Sequence, residues 1–370
     1  MKYFLITLLI LFSICTGYPI IADTYKPLMQ TENLSSDIDN AQLQNSIVPV
    51  GVLVMKSGFI ADIGEEYERA FDLALNISPD SPIQPVIMDG GSEPAVAVSS
   101  WKEMRDTLQG IPAVVTVSSW TSNVVYPDAC DAGIVQVALG SAAINRSFTS
   151  DRLVRYTPGV AQESPVLASY LNQFDRIAVI GGDNDYSHGY FTAFEILLQE
   201  KMVLKSLYNQ DSVETTLNYS EIIESNPDII VLLSVSEGGE VIRLLREHNI
   251  NEPLVGTRVI ERNSLKKINS AEGLIFTSPA LNTSHPFFNQ YFEKYGENST
   301  FYGAEGYDAM SMLSSAISEC GNSSECLYSW FENRNYDGAL GRVVFDDIGV
   351  ASYPITMKIV KDGKFEEYKE

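Results

Sequence analysis

The chain has 370 residues, 45% of them hydrophobic and 20% charged, enough for about two to three ordinary domains with full cores. Its formal net charge of −23 repels phosphate backbones and anionic lipid, which argues against nucleic-acid binding. That sign does not carry over to a ligand, because a pocket can hold a local charge of its own.

Lys2 precedes an apolar run from Phe4 to Ile14, followed by Cys15, Thr16 and Gly17. The run falls short of the ~18 apolar residues of a membrane span and fits the apolar stretch of a secretory signal. Residues 1–22 are therefore read as a signal peptide or, if Tyr18–Ile21 extend the run, as a signal anchor. Cys15 could carry lipid, but the residue before a lipidated cysteine is small and here it is Ile14, which favours an ordinary cysteine of the apolar stretch. Residues 23–46 are polar, without periodicity, and read as a linker.

From Ile47 the pattern changes. IVPVGVLVM reads as a buried strand, and EEYERAFDLALNI puts Tyr67, Ala70, Phe71, Ala74 and Leu75 on one helical face. IQPVIMD is a second strand, followed by a helix that Ser92 can cap, with Pro94 in its first turn. PAVVTV and GIVQVAL are strands flanking a helix over residues 121–132. After RYTPGV the alternation resumes: DRIAVIGG, MVLKSLY and PDIIVLLSV as strands, SHGYFTAFEILLQEK, TLNYSEIIESN and GGEVIRLLREHN as helices. Strand and helix in strict succession imply parallel sheets built by right-handed crossovers. Two such runs imply two similar lobes. Residues 285–296, 302–319 and 323–333 read as helices, and GRVVFD and SYPITMKIVKDGKF as strands joined at DDIGVA. Late elements of this kind complete earlier sheets, so the chain is expected to cross between lobes more than once.

Cys130, Cys320 and Cys326 lie beyond the signal segment. Cys320 and Cys326 bracket GNSSE, a short polar turn, and can pair in an oxidising compartment; metal ligation is the weaker reading, since no histidine lies near them. Asn-x-Ser/Thr sequons begin at Asn33, Asn76, Asn145, Asn218, Asn282, Asn298 and Asn322, which suggests an outward surface able to carry glycans, although Pro79 counts against Asn76.

The sequence offers little chemistry. His188, His248 and His285 fall in no zinc-binding arrangement, and there is neither a P-loop nor a GxSxG elbow. Gly181–Gly182 lacks dinucleotide-binding spacing and reads as a tight strand exit. The adjacent acids Glu65–Glu66 and Asp346–Asp347 would point apart on a helix or strand. No enzyme, cofactor or metal is expected. What remains is a cleft at the carboxyl ends of parallel strands, where loops and helix N-termini present backbone N–H groups. Those points are MKSG, VSSWTSN, ALGSAA, GDNDYSHG, SVSEGG and GTRVIERN.

At these residues the chain resembles the type 1 periplasmic binding proteins, in particular the leucine/isoleucine/valine-binding branch of the ABC-transporter solute receptors. The likeness runs from about Ile47 to Gly363 and rests on VPVGVLVMKSG, GEEYERAFDLAL, GIVQVALGSAA, RIAVIGGDNDYSHGYFTAF, AEGLIFTSP and the closing YDGALGRVVFDDIGVASYPITMKIVKDGKF. It implies an α/β fold of two Rossmann-like lobes with parallel-rich sheets joined by three hinge crossovers. The lobes are expected over 47–157 plus 280–346 and over 158–279 plus 347–370.

The resemblance places the carboxylate of an amino-acid ligand at Ser119, Gly140, Ser141 and Ala142, with Ser119 also able to cap its helix. It places the second lobe's aromatic at Tyr186, a side-chain pocket residue at Ile63 and a further contact near Ser236. Two positions depart from the family. Ala142 lacks the expected hydroxyl, for which Ser141 can substitute, and the acid that receives the ligand ammonium is replaced by Arg258. An arginine there would draw an anion, pointing to a second carboxylate or a non-amine acid. Glu261 could supply the acid instead, or pair with Arg258 or Arg262. The implied function is capture of an amino acid or small carboxylate for an ABC permease, outside the cell membrane and tethered to it. The alternative is a sensing ectodomain that signals through a separate membrane partner.

Overall fold

The structure, a computed structural model, describes residues 47–78, 80–142, 144 and 152–369. The signal segment, the linker, Cys15 and the sequons at Asn33 and Asn145 lie outside the described residues. Five short strands rich in β-branched residues form the first sheet: β1 (Val48–Val54), β2 (Ile83–Asp89), β3 (Ala113–Val117), β4 (Val135–Leu139) and β5 (Leu153–Arg155). All pair in parallel, in the order β2-β1-β3-β4-β5. β3 and β4 are buried along their whole length, as expected for strands covered by helices on both faces. The crossover helices are α1 (Ala61–Ile77), α2 (Pro94–Thr107) and α3 (Ser119–Asp131).

The second lobe repeats the plan. Strands β6 (Ile177–Gly182), β7 (Met202–Tyr208), β8 (Ile229–Leu233), β9 (Leu254–Gly256) and β10 (Ile275–Pro279) pair in parallel in the order β10-β9-β8-β6-β7. They carry helices α4 (Val160–Leu171), α5 (Asp185–Leu198), α6 (Val213–Thr216), α7 (Tyr219–Ser225) and α8 (Gly238–Glu247). After β10 the chain returns through α9 (Pro286–Tyr295), α10 (Phe301–Cys320) and α11 (Ser324–Phe331), then forms a small antiparallel sheet, β11 (Asn335–Gly338), β12 (Gly341–Phe345) and β13 (Ala351–Ser352). Val343, Phe345, Ala351 and Tyr353 share one core with β1, β3 and β4. The chain then crosses once more, and the hairpin β14 (Ile355–Lys361) and β15 (Lys364–Glu367) closes the second sheet antiparallel to β10. There are thus three crossings, after Arg155, after Pro279 and between Ser352 and Ile355.

The structure corrects several local expectations. Ser92 does not cap α2: Glu93 holds that position without a side-chain bond, and the Ser92 hydroxyl donates to the Ser57 carbonyl at 3.0 Å. The strands flanking DDIGVA belong to different sheets, because only β13 returns onto β12 while β14 joins the second lobe. Cys320 and Cys326 form a disulfide, and Cys130 lies half-buried outside it. Asn76, Asn218, Asn282, Asn298 and Asn322 are exposed.

Helix α1 anchors the first lobe. Gly64 lets it rest on the end of β1, since a Cβ there would lie 1.8 Å from the Met55 carbonyl oxygen. Two residues on, the buried Glu66 carboxylate accepts from the Thr300 N–H at 2.6 Å and the Gly303 N–H at 3.1 Å, and from the Ser299 and Thr300 hydroxyls. These donors open α10, so Glu66 satisfies N–H groups that the helix itself cannot. Burial pushes its carboxyl up to about 7, against the pull of these hydrogen bonds. An acid raised on folding binds its proton more tightly in the native state. Its stabilising effect is therefore complete below pH ~4.5 and is lost as pH rises to about 7. Asp308, also raised to about 7 by burial, acts in the same direction. Thermal unfolding followed between about pH 5 and about pH 7.5 should show the midpoint falling as pH rises, and Glu66→Gln should flatten that slope. An unchanged slope in the variant would remove Glu66 from this role.

Candidate ligand-binding site

Between the lobes lies a cleft of about 870 Å³, lined by residues that follow β1, β3 and β4 on one side and β6 and β7 on the other. Helices α3 and α5 approach each other across it, each presenting its N-terminal end. The deep part is made by the first lobe. Ser118 adopts φ +80, a left-handed value that costs a non-glycine residue energy, and its hydroxyl accepts from the Thr121 N–H at 3.4 Å. Ser118, not Ser119, is therefore the cap of α3. Ser119 and Trp120 become its first helical residues, and both line the cleft. Both stand at the end of the helix where its dipole favours negative charge.

Trp120 is held by its indole N–H, which donates to the Gly91 carbonyl at 3.2 Å, and its ring sits 6.0 Å from that of Phe59. Ile63, Tyr67 and Tyr302 continue the wall. From the second lobe, Tyr186 lies against the cleft with its hydroxyl 2.5 Å from Thr257 Oγ1 and its ring packed on Tyr190. Of the positions expected from sequence, Ile63, Ser119, Gly140, Tyr186 and Arg258 all line this one space.

The others do not reach it. Ser141 is fully buried, its hydroxyl bonded to Ser122 at 2.7 Å and to the Leu139 carbonyl at 2.8 Å, and Ala142 packs in the second lobe's core. Ser236 bonds to Glu237 at 3.3 Å, and its neighbour Val235 lines the cleft in its place. Gly140 lines it at φ +57, but its N–H donates to Glu305 Oε2 at 2.9 Å and so is already engaged. Glu305, buried on α10, also accepts from the hydroxyls of Tyr67 and Thr157. Burial raises its carboxyl above the ordinary range, against those three hydrogen bonds.

Arg258 changes most. The residue is 2% exposed, and its guanidinium forms an ion pair with Glu163 on α4 and donates to the Pro158 carbonyl at 3.1 Å. Glu163, wholly buried, also accepts from the Arg258 N–H at 3.0 Å and from Tyr190 and Thr277. The positive charge expected to draw an anion is therefore already balanced inside the protein. Glu261 is no ammonium acceptor either, because it accepts from Lys358 at 2.6 Å and from Ser278. Arg262 instead bridges the lobes, pairing with Asp62 of α1 and donating to the carbonyls of Phe59 and Val235. Sequence reasoning missed Glu163 and Glu305 because each lies on a helix far in the chain from its partners. Trp120 and Phe59 stood in or beside loops already singled out, with only their aromatic character as a signal.

Among the described residues no group of histidines, cysteines or carboxylates could hold a metal ion, and no helix is long and apolar enough to cross a membrane. The periplasmic binding protein family matches residues 47–364, and the chain belongs to it. An extracellular ligand binding receptor from Desulfohalobium retbaense is 32% identical with a TM-score of 0.82, covering 87% of this chain and 59% of its own. This chain thus spans less than two thirds of that receptor's length. A leucine binding protein from Thermotoga maritima is 21% identical (TM-score 0.76, covering 87% of this chain and 98% of its own). A solute binding protein of an ABC transporter from R. palustris, in complex with benzoate, is 16% identical (TM-score 0.78, 87% and 95%). These last two share the fold. No curated protein matches the chain.

Removing one partner of a buried ion pair strands the other charge, so Arg258→Ala should cost about 3–5 kcal/mol of stability. The double variant Arg258→Met/Glu163→Leu should recover most of that loss in urea unfolding. Equal losses in the single and double variants would show that the pair is not the source.

Proposed function

We propose that the protein is a solute receptor on the outer side of the cell membrane, tethered there, that captures an amino acid or related small carboxylate and delivers it unchanged to an ABC permease. One observation carries this reading: the start of α3, Ser118–Trp120, opens into a ring-lined cleft between two lobes. The start of a helix favours a carboxylate without a full countercharge. The apolar and aromatic wall of Phe59, Ile63, Trp120, Tyr186 and Tyr302 would then bury the body of the solute. The sequence resemblance to the leucine/isoleucine/valine branch supports an amino-acid-like solute, and the Arg262–Asp62 contact between the lobes supports their closing over it.

Catalysis finds no support at this site. The buried carboxylates Glu163 and Glu305 each accept at least three hydrogen bonds, which leaves neither poised to move a proton to or from a ligand.

Native mass spectrometry of the purified protein should reveal a bound small molecule that denaturation releases and that returns unaltered after rebinding. Trp120→Ala should weaken its retention by about 1–3 kcal/mol while the fold survives, as truncating a contacting aromatic does. Release of a chemically altered compound would contradict capture, and retention unaffected by Trp120→Ala would move the ligand elsewhere.

A further inference from the structure

Five aromatic side chains with a polar tip line the cleft, and four of those tips are taken up within the protein. The Tyr67 hydroxyl donates to Glu305, and the Trp120 indole N–H to the Gly91 carbonyl at 3.2 Å. Tyr186 meets Thr257 at 2.5 Å, and Tyr208 meets Ser234 at 2.6 Å and donates to Glu237 at 2.8 Å. Tyr302 is the exception. It stands in the first turn of α10, 5% exposed, and its hydroxyl has no hydrogen-bond partner among the described residues. Its ring is fixed all the same, centred 3.9 Å from that of Phe301 and edge-on to that of Tyr67 at 5.9 Å. The residue lines both the cleft and a side chamber of about 210 Å³. Its oxygen is not among the fully enclosed atoms that lack a partner, so it keeps open surface on these spaces. Burying a hydroxyl unbonded is unfavourable, and native structures seldom leave one so. Burial also raises this hydroxyl above its ordinary range, against the positive charge of Arg262 and Arg258, so it stays protonated and can donate.

Resting on the capture reading above, we infer that the Tyr302 hydroxyl binds the solute, donating a hydrogen bond to one of its oxygens. The acceptor is a carboxylate oxygen of the solute or an oxygen on its body, and both offer the phenol the same chemistry. A compound with no acceptor at this point would leave the hydroxyl unpaired, which a site built to hydrogen-bond its ligand penalises. Tyr302 thereby sets specificity where the neighbouring rings supply contact area.

Tyr302→Phe removes the hydroxyl and keeps the ring. In protein stripped of solute, its melting temperature should equal or exceed that of the unsubstituted chain, because no bond is lost. Tyr186→Phe, which gives up the contact with Thr257, should melt lower. A loss in Tyr302→Phe matching that of Tyr186→Phe would tie the hydroxyl into the protein's own bonding and overturn the inference. The solute carried through purification, returned to the stripped protein, should bind Tyr302→Phe at least about tenfold more weakly. Calorimetry with hexanoate against 6-hydroxyhexanoate, and with phenylalanine against tyrosine, locates the oxygen. Weaker binding of both members of a pair marks the carboxylate, and of the oxygenated member alone marks the body. Equal affinity of the two proteins for the returned solute, and for every probe that binds, overturns the inference and leaves the hydroxyl to the side chamber. The capture reading is judged separately, by whether the solute returns unaltered.

Discussion

The arrangement of the cleft depends on how the first crossing between the lobes is gripped. Thr157 and Pro158 form that crossing, and each is held by a buried ionic group from a different side. Glu305 of the first lobe takes the Thr157 hydroxyl, together with Tyr67 from α1 and the Gly140 N–H at the end of β4. Arg258 of the second lobe takes the Pro158 carbonyl while its charge is balanced by Glu163, which also draws in Tyr190 and Thr277. Two carboxylates, one per lobe, thus fix the backbone on which the cleft walls stand. Burying such groups is costly unless every oxygen is bonded, and here both oxygens of each are.

This saturation bears directly on function. A charge already balanced within the protein has little attraction left for a ligand, so Arg258 lines the cleft without offering it a free countercharge. The Arg262–Asp62 pair joins the lobes beside the cleft, where both partners neighbour lining residues. Ligand binding favours closure only to the extent that the closed form binds it better.

Much of the fold was legible in the sequence, because Val- and Ile-rich strands alternating with amphipathic helices announce parallel sheets at close range. The cleft loops were legible for the same reason: they sit where such strands end. Individual roles were harder to read. Arg258 looked like an anion receptor because its countercharge, Glu163, lies 95 residues earlier on a helix with no local sign of its partner. Ser119 looked like the helix cap because nothing in VSSW distinguishes the two serines. Backbone strain at Ser118 decides between them, and that is a property of the folded chain. Ser141 resembled a ligand contact, but its burial against Ser122 depends on the packing of β4 beside α3.

The central claim is that two lobes close on a solute held between them. Small-angle X-ray scattering can test it by comparing the protein as purified with the same protein stripped of solute by unfolding and refolding, and again after the released solute is returned. The account predicts a larger radius of gyration for the stripped protein and recovery of the smaller value on return. One unchanging radius in all three states, with the solute shown to be bound, would contradict it.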